Sequence, residues 1–331
     1  METRKVQVTG GSTYTVSIPK GWATEHGVSG GTVVALFEED DTLLVRPRTG
    51  GDPSEVVLDV RGLEGEALVR AVTTLYVGGF DVVTLEAPRV TAERRRTVRR
   101  ATRRLVGFEV VEETGGAIRL RDLLDQSELS VRDATVRAHR LSTAMLADAV
   151  EALREGDRPL AEDVIERDDD VDRLRALVER AFRTSLRDPQ VAAEAGLTQT
   201  ACFDHHRCVR QYERVADHAE KLAHLTEDAT WVPDAVDESL AALHESAAGV
   251  VDGATGAFFE TDADRAVRLA NEARAANDRT GELARDLDAA VRDVDPDLAG
   301  PLGLAVDSLS RVADYGGNVA EVALQRAFPA P

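Results

Sequence analysis

The chain has 331 residues, a formal net charge of -20, and lysine only at Lys5, Lys20 and Lys221, which leaves 37 of its 40 basic residues as arginine. No apolar run reaches the roughly 18 residues that span a bilayer, and METRKVQV carries no signal-peptide core, so the protein is expected to stay in the cytoplasm. Excess carboxylate with scarce lysine looks like a protein of a salt-accumulating halophile, and Cys202 with Cys208 excludes a disulfide framework.

Val6 and Val8 alternate with Lys5 and Gln7, Gly10-Gly11 turns the chain, and Tyr14, Val16 and Ile18 alternate again, which predicts two short strands. Pro19 opens a short helix through Trp22 and His26, closed by Gly27. Strands at 33–37 and 43–46 follow, joined by the acidic turn Glu38-Glu39-Asp40-Asp41. A unit of about 50 residues with so few large apolar side chains needs a partner to complete its core. A homodimer through residues 1–49 is therefore expected.

The segment GGSTYTVSIPKGWATEHGVSGGTVVALFEEDDTLLVRP, residues 10–47, resembles the AbrB/SpoVT-like swapped-hairpin domain. In that family two chains interlace hairpins and present a DNA-binding face. The resemblance implies Arg4, Lys5, Ser12, Thr13, Thr15 and Lys20 as the residues that approach phosphates or groove edges. Either the unit contacts DNA or it only dimerises the protein.

After the boundary Gly50-Gly51-Asp52-Pro53, residues 50–125 read β-α-β-α-β-β: strand 56–60, helix 63–76, strand 82–85, helix 92–105, and strands near 108–111 and 117–120. This order predicts a small sheet with helices on one face. The stretch TAERRRTVRRATRR, residues 91–104, carries seven arginines, with Arg95, Arg99 and Arg103 on one face. It contacts nucleic acid, pairs with acidic surface of its own dimer or a partner, or is simply solvated. LVRAVTTLYVGGFDVVTLEAP with RRLVGFEVVEE is similar to the connector between AbrB-like and PhoU domains in archaeal regulators.

Two three-helix units follow, residues 126–230 and 231–331. Their helices are predicted at 131–154, 160–186, 200–226, 234–259, 262–292 and 301–327, with breaks at 156–159, 188–196 and 295–301. The phrase ERVADH at Glu213 recurs as SRVADY at Ser310, which marks two copies of one helical unit. VIERDDDVDRL, YERVADHAEKLA and SRVADYGGNVAEVA resemble the PhoU family, with its paired three-helix repeats. The expected fold is thus multidomain: a swapped-hairpin β domain, a small α/β connector, and an all-α double three-helix bundle.

The PhoU resemblance implies metal clusters bound through Glu/Asp-x-x-x-Asp pairs, because carboxylates four apart share a helical face. Glu213 with Asp217, and Asp168 with Asp172 on the preceding helix, form the candidate set, with Glu166, Glu179 and Glu220 nearby. They hold divalent or trivalent iron, zinc, manganese or magnesium, or they are surface acids paired to Arg173, Arg210 or Arg214. In the second repeat Ser310, Gly317, Ala273 and Asn277 stand at the matching positions, with Asp314 retained and Glu272 alongside, so at most one cluster is expected.

Cys202, His205, His206 and Cys208 cannot all face one zinc ion on a regular helix, which makes core cysteines the expectation. His218, beside Asp217, is a candidate to hold and orient a metal-binding carboxylate. No nucleophile or nucleotide-binding motif is present, and the chain is not expected to be an enzyme. By resemblance, the protein is a phosphate-responsive transcriptional regulator. The alternative is a scaffold that modulates a phosphate transporter ATPase or its signalling proteins without binding DNA.

Overall fold

The computed structural model describes residues 3–39, 42–47, 54–123, 130–194, 196–228 and 232–328, in two compact units, Met1–Pro53 and Ser54–Pro331. Asp40-Asp41 of the predicted turn, the boundary at 50–53 and the domain limits at 49/50, 125/126 and 230/231 lie outside or at the edge of the described residues.

In the first unit, β1 (Gln7–Thr9) and β2 (Thr13–Thr15) pair antiparallel, with Val8 opposite Tyr14 and Gln7 opposite Thr15. Gly10 and Gly11, at φ 66° and 85°, supply the left-handed backbone that this turn needs. The helix α1 (Lys20–Glu25) has Pro19 as its cap rather than its first residue, and Trp22 stacks on His26 at 4.7 Å. The hairpin β3 (Val34–Glu39) and β4 (Thr42–Pro47) runs further than predicted, since Glu38 still pairs with Leu43. No described residue between 3 and 47 is buried. Tyr14 is 76% exposed, Val33 63% and Val8 62%.

The second unit opens with β5 (Glu55–Asp59), α2 (Gly65–Val77), β6 (Val82–Glu86), α3 (Ala92–Arg103), β7 (Phe108–Glu113) and β8 (Ala117–Asp122). Sheet order is β5-β6-β8-β7, parallel between β5 and β6 and antiparallel elsewhere. Leu68, Val72 and Tyr76 of α2 and Val98 and Ala101 of α3 bury against Val83, Leu85, Phe108, Ile118 and Leu120. The arginines of α3 turn to acids of the same chain: Arg99 reaches Glu113 at 2.9 Å, Arg100 reaches Glu66 at 2.7 Å, and Arg104 just beyond it reaches Asp169 at 2.9 Å.

Helices α4 (Val131–Glu155), α5 (Arg158–Ser185), α6 (Pro189–Glu194), α7 (Gln199–Asp228), α8 (Asp234–Phe259), α9 (Ala263–Val291) and α10 (Pro296–Ala327) complete the unit. Gly156, at φ 69°, ends α4, and the Asp157 carboxylate accepts from the Leu160 N–H to start α5. Two predicted breaks differ. The 188–196 stretch contains α6, and α10 begins at Pro296 with Pro301 inside it as its sixth residue, where the helix continues without the one hydrogen bond that an N–H there would make to the carbonyl of residue 297. No described helix is long and apolar enough to cross a membrane.

The repeated phrase meets itself. His218 and Tyr315 occupy the same position in the two copies, and the Tyr315 hydroxyl lies 3.3 Å from His218 Nε2. Asn318 donates to Gln211 at 3.1 Å, and Arg207 bonds Gln325, so α7 and α10 run antiparallel with matching segments face to face. Gly316 permits the neighbouring contact of α10 on α8, where a Cβ would sit 2.8 Å from Val250 Cγ1 and 2.9 Å from the Val251 nitrogen.

Arg180 of α5 fastens the connector to the bundle. It is 7% exposed, donates to the Tyr76 and Phe80 carbonyls at 2.6 and 3.1 Å, and pairs with Asp122 at 2.7 Å and Asp81 at 3.3 Å. Its guanidinium also lies 4.9 Å from the Tyr76 ring centre. Arg180→Met keeps the bulk but removes the cation beside Asp122 and Asp81 and the hydrogen bonds it donates to two carbonyls, and urea unfolding should show a loss of about 3–5 kcal/mol. Adding Asp122→Asn should recover part of that loss, and a loss below about 1 kcal/mol would deny Arg180 this role.

Candidate functional site

α5 and α7 pack through an apolar stripe, with Val164, Val171, Leu174 and Val178 meeting Tyr212, Val215, Ala219 and Leu222. Beside this stripe α5 presents Asp168, Asp172, Arg175 and Glu179, and α7 presents Glu213, Asp217 and Glu220, all at three- or four-residue spacing and half-buried. Of the six predicted metal ligands, five therefore share one electrostatic neighbourhood. Glu166 is exposed, two residues away from Asp168 and so on another side of the helix.

Crowding of like charge at partial burial has the expected consequence. Burial first, then the charges of Asp172, Glu220 and Asp217, push the Asp168 carboxyl up to about 7. Glu213 is raised by burial and then by Asp217, and Asp217 by burial against the pull of Lys221.

The cation that bridges acids of both helices is Arg175. Its Nε lies 3.3 Å from Asp172 and 3.4 Å from Glu213, and its Nη1 lies 3.0 Å from Glu179. Of the arginines expected to serve here, Arg173 reaches Asp170 at 3.9 Å and Arg214 lies over the Tyr315 ring at 5.5 Å, while the charges of Arg210 and Arg214 still pull Glu213 and Asp217 down from a distance. Arg175 is three residues after Asp172 and four before Glu179, a spacing that could have flagged it.

The set does not fit a four-carboxylate metal cluster in this arrangement. Asp172 and Glu213, one from each predicted pair, are both committed to Arg175. Among the described residues no three His, Cys, Asp or Glu side chains gather where they could hold a metal ion.

The matching face of the second repeat is an open groove of about 500 Å³ between α9 and α10. Asn277, Asn318 and Asp314 line it, and a Cβ on Gly317 would meet the Asn277 amide at 3.1 Å. Its ion pairs are long, 3.8 Å for Arg274–Glu321 and 3.6 Å for Arg311–Asp314.

The cysteine–histidine segment disperses. His205 bonds Thr135 at 2.9 Å and packs edge-on to Phe258, with burial holding it down to about 4, while His206 stacks on Phe182. Both cysteines are buried, and burial raises both thiols. His218 turns to Tyr315 rather than Asp217, and burial lowers it to about 4.

In the first unit, strand alternation sorts the candidate DNA contacts. Thr13 and Thr15 share a face with Gln7 and Thr9, opposite Val8 and Tyr14, and Thr9 Oγ1 lies 3.2 Å from Thr15 Oγ1. Lys5 is in phase with this polar face, Arg4 with the apolar one, Ser12 lies in the turn and Lys20 opens α1; all four are exposed. Gln7 and Thr9 escaped the candidate list although the period-two pattern places them on that face.

The PhoU domain family matches residues 135–226, which hold most of α4 and all of α5 and α6 with nearly all of α7. The family described as antidote-toxin recognition MazE, bacterial antitoxin, matches residues 7–52. Among solved structures, the phosphate transport system regulatory protein PhoU from Streptococcus pneumoniae is similar, with 16% identity and a TM-score of 0.51 over 59% of this chain and 91% of that one. PhoU from Pseudomonas aeruginosa is similar with 23% identity and a TM-score of 0.50, over 61% of this chain and 98% of that one. No curated protein sequence matches the chain.

The helical bundle has the PhoU-like fold. A MazE-like unit precedes it in sequence, with a small α/β region between.

Asp168 gives this face a pH signature. Because its folded value of about 7 exceeds the ordinary 3.8, the native state binds more protons than the unfolded state between those values, and stability is lost as pH rises through that window. Asp168→Asn should match the wild type below about pH 4 and exceed it by about 1 kcal/mol at pH 8, allowing for solvent screening of a partly exposed group. Urea titrations in chelator at both pH values check this, and an equal difference at both would contradict it.

Proposed function

We propose that this chain is a phosphate-responsive regulator whose N-terminal unit forms a homodimer that binds DNA, while its PhoU-like bundle receives the signal from protein partners. The observation that carries the reading is the two-sided first hairpin. Val6, Val8, Tyr14 and Val16 lie open to solvent on one side, and Lys5, Gln7, Thr9, Thr13 and Thr15 line the other. Covering the apolar side with a second copy supplies a core and leaves the polar side outward, paired about a twofold axis. Such a surface suits groove edges and phosphates. The phosphate part of the reading rests on the PhoU-like fold of the bundle and the PhoU domain match.

The proposal places the protein in the cytoplasm and assigns it no catalytic step. The chain charge of -20 opposes DNA, so contact depends on Lys5 and Lys20, and on Arg4 reaching past the covered side, being gathered locally and doubled by dimerisation. A scaffold acting on a phosphate transporter ATPase or its signalling proteins is the competing reading, drawn from the same fold.

Selection of duplexes from a random pool by the full-length protein should enrich one sequence with twofold symmetry. Changing Arg4, Lys5 and Lys20 together to Gln should weaken binding to it by about tenfold or more and reduce the slope against log salt by about 3–6 across the dimer. Enrichment of no sequence, with chromatin association in cells indifferent to removal of residues 1–49, would leave the scaffold.

A further inference from the structure

We infer that Arg175 is the resident counter-cation of the α5–α7 carboxylate face, filling the charge role that a multivalent metal ion would otherwise take, so that arginine and metal exclude one another there. Its guanidinium joins the two helices through Asp172 and Glu213 and reaches Glu179 as well, with its side chain 23% exposed. A cation bound by oxygen ligands needs those same carboxylates deprotonated and free. An arginine stays charged at any pH the fold survives, so it leaves the acids only by swinging out into solvent.

Comparison within the chain supports the assignment. Aligned as Asp168 with Ala273 and Asp172 with Asn277, the helices α5 and α9 place Thr280 opposite Arg175. Thr280 is buried, bonded to Ser246 at 2.7 Å and to the Ala276 carbonyl at 2.9 Å. The second repeat thus lacks the arginine in the same place where Asn277 and Ser310 stand at the positions of Asp172, its partner on the same helix, and Glu213, its partner across helices. Acids and arginine come and go together, as expected if the arginine is present to neutralise them.

The test uses full-length protein stripped with chelator, then titrated with Mn²⁺ and Zn²⁺ while metal content and melting temperature are followed. Wild type should bind neither tightly and melt at the same temperature with or without metal. Arg175→Gln should melt several degrees lower in chelator, gain about tenfold or more in Mn²⁺ affinity and recover its melting temperature on adding the metal. Arg175→Lys should behave like wild type. If Arg175→Gln does not fold in chelator, adding Asp172→Asn and Glu213→Gln should restore folding, because the repulsion that Arg175 offsets is then gone. Stoichiometric, stabilising metal in the wild type overturns the inference, as does an Arg175→Gln protein with unchanged stability and no gain in metal, or failure of the added substitutions to restore folding.

Discussion

The constraint that organises this molecule is the uneven distribution of buried apolar surface. Buried hydrophobic side chains begin at Val60 and continue to Ala323, whereas the described residues from 3 to 47 contain none. Nine large apolar residues of the first unit, from Val6 to Leu44, are left in water. Each would contribute about 1.5–3 kcal/mol if fully buried, and a whole domain is stable by only about 5–15 kcal/mol. Two hairpins that forgo this much have little apolar burial to stabilise a single copy. The proposed dimer would cover this surface with a second copy, and both the DNA reading and its symmetry depend on it.

In the second unit one helix serves several masters. Ala176 of α5 belongs to the connector's core and Arg180 to its hydrogen-bonding end, while Asp168, Asp172 and Arg175 belong to the charged face toward α7. Asp169 adds a tie to Arg104 beyond α3. Half-burying several carboxylates beside an apolar stripe is costly unless cations lie among them. Arg175 and Lys221 meet that need from within the chain. The second repeat meets it differently, by having fewer acids.

Much of this was legible in the sequence, for physical reasons. Helical periodicity and capping residues located six long helices, the duplicated phrase revealed the two repeats, and alternation gave the β-α-β-α-β-β order. What escaped was which charged residue touches which. Arg173, Arg175 and Arg180 look alike in VDRLRALVER, and only the placement of α2, β8 and α7 around α5 tells them apart. Spacing placed Asp168 with Asp172 and Glu213 with Asp217 on shared helix faces but could not show that an arginine reaches across the helices into their midst. Pro301 reads as the start of the last helix because a proline's fixed φ suits a first helical residue, whereas the helix begins at Pro296 and carries Pro301 within it. Gln7 and Thr9 face the same way as Thr15 and Thr13, a relation that depends on the register between the two strands.

The dimer of the first unit is tested most directly by sedimentation of the full chain from nanomolar to micromolar concentration, with amide exchange of residues 7–47 followed over the same range. The account predicts a two-chain species whose strands β1 to β4 are protected, both protection and mass falling together on dilution. A one-chain species that keeps those strands protected would contradict it.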